Sequence, residues 1–462
     1  MKNLLFMKNL FTRTCALFLS SCLVLCQTGC STDESLDEHG TDSGSQVSHF
    51  SNQTSGAGET LHTVDLMAGF TAGRSEEENF SVSSDFLKSC MDFSLRLFQQ
   101  SNLHKESGRN LMISPYSALT ALSMAINGAN GDTRKEMLDV LCQNSKCAMT
   151  AEELNRNMKA VISGLPSHKD ARLLQANSIW FRESESVFQV NPDFLQCNAD
   201  YYQADAFKAP FDDQTTADIN KWVSDHTDNM IPSILKQIPD NVVMYLINAL
   251  TFDAAWASPY TEDQILENEF TNEDGSISRV SMMHSQENQY LQTAHGTGFL
   301  KPYKEGYSFA ALLPEEGMSL DDFIADMTSE DLYETLTSPV SEPVQVSLPG
   351  FTSEYDTDLS ETLISMGMKL PFNEDHADFG SLGTCRDGNL FISRILHKTY
   401  ISVDGNGTRA GAATAVEMRL ECCISMNHEV ELNRPFIYMI IDQATCTPIF
   451  MGTVTKLPNR QQ

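Results

Sequence analysis

Basic residues are scarce in this chain: 31 Lys and Arg stand against 62 Asp and Glu over 462 residues, a net charge of −31 at neutral pH. That balance excludes a general affinity for nucleic-acid phosphates or an anionic lipid surface, and leaves a protein or a small molecule as partner. Long hydrophobic runs are missing too. Beyond the first 30 residues no stretch nears the roughly 20 apolar residues that cross a bilayer, which excludes a polytopic membrane protein. HExxH, the Walker loop and GxSxG are all absent. Asp404-Gly405-Asn406-Gly407-Thr408 has only the outline of a calcium loop, because Arg409 takes the turn-glycine position and Ala415 that of the bidentate Glu. Gly405, Gly407 and Gly411 miss the GxGxxG spacing by one, with no dinucleotide unit around them. An enzyme, a cofactor or a metal site therefore has no constellation to stand on. The 12 cysteines show no zinc or disulfide-framework spacing; Cys142 and Cys147, five apart in a predicted loop, are the best candidate pair.

What is present begins with a leader. Lys2, Lys8 and Arg13 precede the apolar run Cys15 to Cys26, whose length suits the core of a secretory signal, so residues 1–29 are predicted to be removed. Gln27-Thr28-Gly29-Cys30 is similar to the cleavage site of bacterial lipoproteins, with Cys30 as the lipidated residue; ordinary signal cleavage is the alternative. The expected location is extracellular, secreted or at the cell surface, lipid-anchored to a bacterial outer membrane. Residues 30–80, rich in Ser, Thr, Gly, Asp and Glu, read as an acidic tether that cannot bury enough surface to fold.

Residues 81–462 mix helical periods with buried strands and show no repeat, which predicts one α+β domain. Ser114-Pro115 starts a helix whose apolar face carries Ala118, Leu119, Leu122, Ala125 and Ile126, and Gly128 ends it. Val242 to Phe252 is a strand covered on both faces, yet Asn248 sits in its middle, and a buried amide needs partners. Thr408 to Leu420 separates by parity. Thr408, Ala410, Ala412, Thr414, Val416, Met418 and Leu420 are small or apolar, whereas Arg409, Glu417 and Arg419 fall on the other parity. That is a strand with one buried side, while the flanking Gly405 and Gly407 belong to a loop. A segment that can be either is a switch.

These residues resemble the reactive-centre hinge of the serpins, in which Gly-Thr or Gly-Ser precedes a run of small residues. Val430 to Ile440 is similar to the family's C-terminal signature and Phe450 to Val454 to its closing strand. Ser114 to Ser117, Asn248-Ala249, Trp256, Val346 to Phe351, Ser365 to Gly367 and His397-Lys398 follow in family order. The resemblance implies three β-sheets, about nine helices and an exposed reactive-centre loop over about 405–430. It implies a suicide inhibitor with no cofactor, whose bait is cut by a serine protease, or by a papain-like cysteine protease as a second class. The cut loop then enters a five-stranded sheet and traps the acyl-enzyme. Such a protein is a monomer prone to loop-sheet polymers, and meets a membrane only through its lipid anchor.

The resemblance also assigns roles. Gly405, Gly407, Thr408, Ala410, Ala412 and Thr414 correspond to the hinge, Ser114, Ser117, Asn248 and His397 to a polar shutter under the opening strands, and Trp256 to the breach where the loop first enters. Counting 17 residues from Gly405 puts the reactive bond at Glu421-Cys422. The stretch to Pro435 is longer than usual, so Arg419-Leu420, Leu420-Glu421 and Cys423-Ile424 are alternatives. Two departures stand out: Gly405 replaces the acidic residue that opens the hinge, removing an ionic latch, and Arg409 replaces a usual Glu. Asn229 stands where glycine ends a helix, and Asn tolerates that left-handed position. A non-inhibitory serpin acting as a binding or carrier protein is the competing expectation.

Overall fold

The computed structural model describes residues 62–73, 80–143, 149–183, 189–384, 389–408 and 428–459. Among them are nine α-helices and three large sheets, with a further pairing of Gln189–Val190 and Gly383–Thr384. The central sheet holds β1 (Val64–Asp65), β2 (Ala171–Arg182), β3 (Asp205–Ala209), β4 (Met244–Ala255), β5 (Phe351–Asp358), β6 (Arg394–Val403) and β7 (Gly407–Thr408), in the order β1-β3-β2-β4-β7-β6-β5. A six-stranded sheet includes Tyr307–Pro314, Phe436–Asp442 and Pro448–Val454, in which every residue is buried. A four-stranded sheet has His428–Glu431 at its edge, parallel to Val344–Pro349.

The helix Pro115–Ile126 lies between the first two sheets, against β2, β4 and Pro448–Val454. Ser114 caps it by accepting from the Ser117 N–H, and Pro115 fills the first turn. Its surroundings differ from the amphipathic reading: all 12 of its residues are buried. A second sheet covers the face that the sequence would leave to solvent. The other side of the central sheet is covered by helix Asp213–His226, whose Ile219, Trp222 and Val223 pack on Ala176, Ile247, Ala249 and Leu396. Period two therefore sends alternate residues of β2, β4 and β6 into two different layers. Asn229, just past that helix, takes φ 60° and accepts from Ser224 through its side chain.

The tether expectation needs a correction. Residues 64–65 pair antiparallel with β3, Leu66 N–H donates to the Ala206 carbonyl, and Leu66, Met67 and Phe70 pack on the core. His62 bonds Asp212 at 2.9 Å and the Thr63 hydroxyl bonds Asp218 at 2.5 Å, both on or beside helix Asp213–His226. A short segment needs no core of its own when an existing sheet edge supplies backbone partners. Cys147 of the candidate disulfide lies outside the described residues, and Cys90, Cys197 and Cys446 are free thiols. Among the described residues no helix is long and apolar enough to cross a membrane.

Candidate functional site

The parallel pairing of β4 with β6 runs from Tyr245 opposite Arg394 to Thr251 opposite Tyr400 and stops there, although both strands continue. Into the widening gap the chain folds back as β7, antiparallel to both neighbours: Thr408 pairs with Val403 and Ala254, and Gly407 with Ala255. The sequence explains this reversal. Asp404 Oδ1 accepts from the N–H groups of Asn406 at 2.7 Å and Gly407 at 3.3 Å, and the Asp404 N–H donates to the Gly407 carbonyl at 2.8 Å. A Cβ on Gly407 would lie 2.1 Å from the Ala254 carbonyl oxygen, so only glycine permits this approach.

The expected loop over 405–430 thus begins and ends in strand, with Gly407–Thr408 in the central sheet and His428–Glu431 in the four-stranded one. Thr408 is fully buried rather than exposed, and its Oγ1 shares a 2.6 Å hydrogen bond with the Tyr303 hydroxyl. Gly405 is half-buried, and its carbonyl accepts from the Tyr260 N–H at 2.8 Å. Arg409, Ala410, Ala412, Thr414, Arg419, Leu420, Glu421, Cys422, Cys423 and Ile424 lie outside the described residues, as does Cys30.

Trp256 stands at the end of β4, directly against this turn. Its indole N–H donates to the Asp404 carbonyl at 2.8 Å and its backbone N–H to the Asn406 carbonyl at 2.9 Å. The indole is fully buried, stacked on Tyr303 with centroids 4.2 Å apart and meeting Phe309 edge-on at 5.9 Å. Burial pushes the Tyr303 hydroxyl well above the ordinary phenol range, so it stays a neutral partner of Thr408.

Further down, the seam between β4 and β6 is closed by a row of polar side chains. Asn177 of β2 lies opposite Asn248 of β4, which lies opposite His397 of β6. His397 Nε2 accepts from the Ser114 N–H at 3.0 Å, so the neutral ring carries its proton on Nδ1 and donates it to Asn248 Oδ1 at 2.5 Å. Asn248 Nδ2 donates to Ser117 Oγ at 2.6 Å and to Asn177 Oδ1 at 2.9 Å. The Ser114 hydroxyl donates to the Ile449 carbonyl at 2.6 Å. The row therefore joins three strands to the buried helix and to the six-stranded sheet. Complete burial holds the His397 imidazole down at about 3.

Asn177 escaped the sequence reading. Its signal is a polar residue within the strand Ala171–Arg182, but only the register with Asn248 gives it meaning. The lone orphan here is its own Nδ2, which is buried without a partner. Chemically, the His397–Asn248 bond closes the seam, and the bonds of Ser114, Ser117 and Asn177 tie it to the helix and to the neighbouring strand. A new strand between β4 and β6 must break the Asn248–His397 bond, and a buried bond of this kind is worth about 1 kcal/mol net.

Comparison with known proteins places these features in a family. A family model described as Serpin (serine protease inhibitor) matches residues 88–457. Human Serpin B10 is 29% identical over 377 residues, covering 75% of this chain and 93% of its own. The thermophilic serpin tengpin is 42% identical; its native-state structure covers 86% of this chain and all of its own with a TM-score of 0.80, and its latent-state structure covers 82% and all of its own at 0.71. A loop C-sheet serpin polymer is 39% identical, covering 84% of this chain and 99% of its own at a TM-score of 0.71.

Proposed function

The chain belongs to the serpin family, and on that premise we propose that it is a suicide inhibitor of serine proteases that works by loop insertion. The observation that carries the reading is the start of β7. Gly407 and Thr408 already occupy the gap between β4 and β6, and in the residues up to Leu420 every charge (Arg409, Glu417 and Arg419) falls on the parity opposite to Thr408. Extending β7 in register would send Ala410, Ala412, Thr414 and Val416 to the side where Thr408 is buried. A protease that cuts the bait forms an acyl-enzyme ester, the freed strand zips into the seam, and the attached protease is carried with it before the ester hydrolyses. Each added pair of residues gains ladder hydrogen bonds to both neighbouring strands and buries one side chain. Trapping is a race between that zipping and deacylation.

On this reading Glu421-Cys422 is the reactive bond, with Arg419-Leu420, Leu420-Glu421 and Cys423-Ile424 as alternatives. Ser114, Ser117, Asn248 and His397, joined by Asn177, form the shutter, and Trp256 guards the entrance. The target is serine type, with papain-like cysteine proteases as a second class, and misdirected insertion gives loop-sheet polymers. The protein acts outside the cell, after loss of residues 1–29, anchored through Cys30. A carrier role would tolerate bulky or charged residues on the inserting parity, and the small residues there favour inhibition.

The test is incubation of residues 60–462 with elastase, chymotrypsin, trypsin, subtilisin, a Glu-specific protease and papain, followed by denaturing electrophoresis and mass analysis of the released C-terminal peptide. The expected result is a band at the summed mass that survives denaturant, and the peptide's first residue identifies the bond. Cleaved protein that melts at the same temperature as intact protein would refute the insertion mechanism.

A further inference from the structure

Trp256 and Tyr260 hold three successive carbonyls of the turn. The Trp256 indole takes Asp404, the Tyr260 N–H takes Gly405 and the Trp256 N–H takes Asn406. Beneath this segment lies a buried ion pair. Lys301, 2% exposed, donates to Glu287 Oε1 at 2.8 Å, and Glu287 is itself only 8% exposed. The same ammonium lies 4.3 Å from the Tyr260 ring centroid, 5.4 Å from the Trp256 ring and 3.4 Å from the Ser258 carbonyl oxygen. One cation thus touches alternate residues of the whole segment. Ser285 Oγ, 2.7 Å from Glu287 Oε1 and 3.3 Å from the Tyr260 hydroxyl, closes the circle.

The three partners come from different parts of the fold. Lys301 belongs to strand Gly296–Pro302 of the six-stranded sheet, Glu287 ends strand Ile277–Glu287 of the four-stranded sheet, and the segment extends the central sheet's β4. A desolvated pair of this kind gains little stability over an apolar pair of equal volume. What it supplies is geometry, because a cation set against two aromatic rings fixes where they sit.

We propose that the Lys301–Glu287 pair is a positioning latch for the hinge, setting Trp256 and Tyr260 so that their N–H groups keep Gly407 and Thr408 started in the sheet. Its part in trapping rests on the insertion reading above, whereas its hold on the uncut hinge does not. Without the charge the rings lose their common anchor, the turn withdraws, and insertion after cleavage must begin from outside the sheet.

The experiment is amide hydrogen exchange on residues 60–462, uncut, comparing the native sequence with the double variant Lys301→Met and Glu287→Gln. The expected result is exchange at least tenfold faster at the Trp256 and Tyr260 amides, unchanged exchange around Asn248, a melting temperature within a few degrees, and several more inhibitor molecules consumed per protease trapped. Unchanged protection at Trp256 and Tyr260 in the folded variant would overturn the latch. Faster exchange with unaltered consumption would overturn its part in trapping. If the double variant does not fold, Lys301→Gln alone, which removes the cation from both rings and leaves an amide donor for Glu287, is read by the same exchange criterion. A native protein that forms no covalent complex with any protease counts against the insertion reading and leaves the exchange comparison to judge the latch.

Discussion

Thr408→Arg is the substitution that separates inhibition from mere cleavage. Thr408 is fully buried between β4 and β6, with its hydroxyl on Tyr303 and the Trp256–Tyr303 stack beside it. A guanidinium there would face aromatic rings and a neutral phenol, with no carboxylate supplied by either contact. An unpaired buried charge destabilises by about 3–5 kcal/mol. In the uncut protein the hinge escapes that penalty by leaving the sheet, so the native fold survives. After cleavage it cannot escape, because strand insertion has to pass through position 408. The penalty then falls on insertion alone and slows it by roughly two to four powers of ten. Deacylation, which happens in the protease, keeps its rate. If insertion outruns deacylation about tenfold in the native sequence, a hundredfold slowing reverses the outcome to roughly ten cleaved molecules per trapped protease. The assay titrates a protease that the native protein traps against increasing inhibitor and counts equivalents at full inactivation, with the covalent band quantified in parallel. Conversion to a substrate with normal cleavage is expected. Undiminished trapping by Thr408→Arg would refute insertion through this seam.

Gly407→Ala should act in the same direction, since its Cβ would lie 2.1 Å from the Ala254 carbonyl oxygen; the check is exchange at the Trp256 amide, which should rise as the hinge is expelled. His397 is held at about 3 by burial, whereas the unfolded imidazole titrates near 6.5, so the unfolded chain takes up protons that the fold refuses. Stability is therefore unaffected above that range and falls with acid, by about 2 kcal/mol at pH 5. Denaturant unfolding at pH 7 and pH 5 should show this loss in the native protein and a smaller one in His397→Gln; equal losses would contradict the assignment. His62 titrates the other way. Its hydrogen bond to the Asp212 carboxylate raises it, so its contribution is complete below the unfolded value and is lost as pH rises through the folded one. Exchange at the Leu66 amide, corrected for intrinsic rate, should quicken from pH 6 to pH 8.5, and His62→Ala should abolish the change.

Much of this molecule is written locally. Ser114 with Pro115 starts a helix wherever it lies, and a polar Asn248 in an apolar run announces that partners must exist. The helix Pro115–Ile126 was harder. Its periodic apolar face was visible, but its burial on every side depends on a sheet formed from residues some 300 positions later. Composition misled for residues 62–73, because a polar segment can borrow an edge strand's hydrogen bonds.

The sequence by itself determined the family, the α+β class and the members of the polar row that lie in recognisable motifs, since each is encoded within a few neighbouring residues. Only the tertiary structure decided that Thr408 is already inside the sheet, that Asn177 completes the row, and that Lys301 and Glu287 meet beneath Trp256. Those facts are matters of register and of distance between strands from different sheets. No local pattern carries them, because the free energy that fixes them belongs to pairs of residues that become neighbours only when the chain has folded.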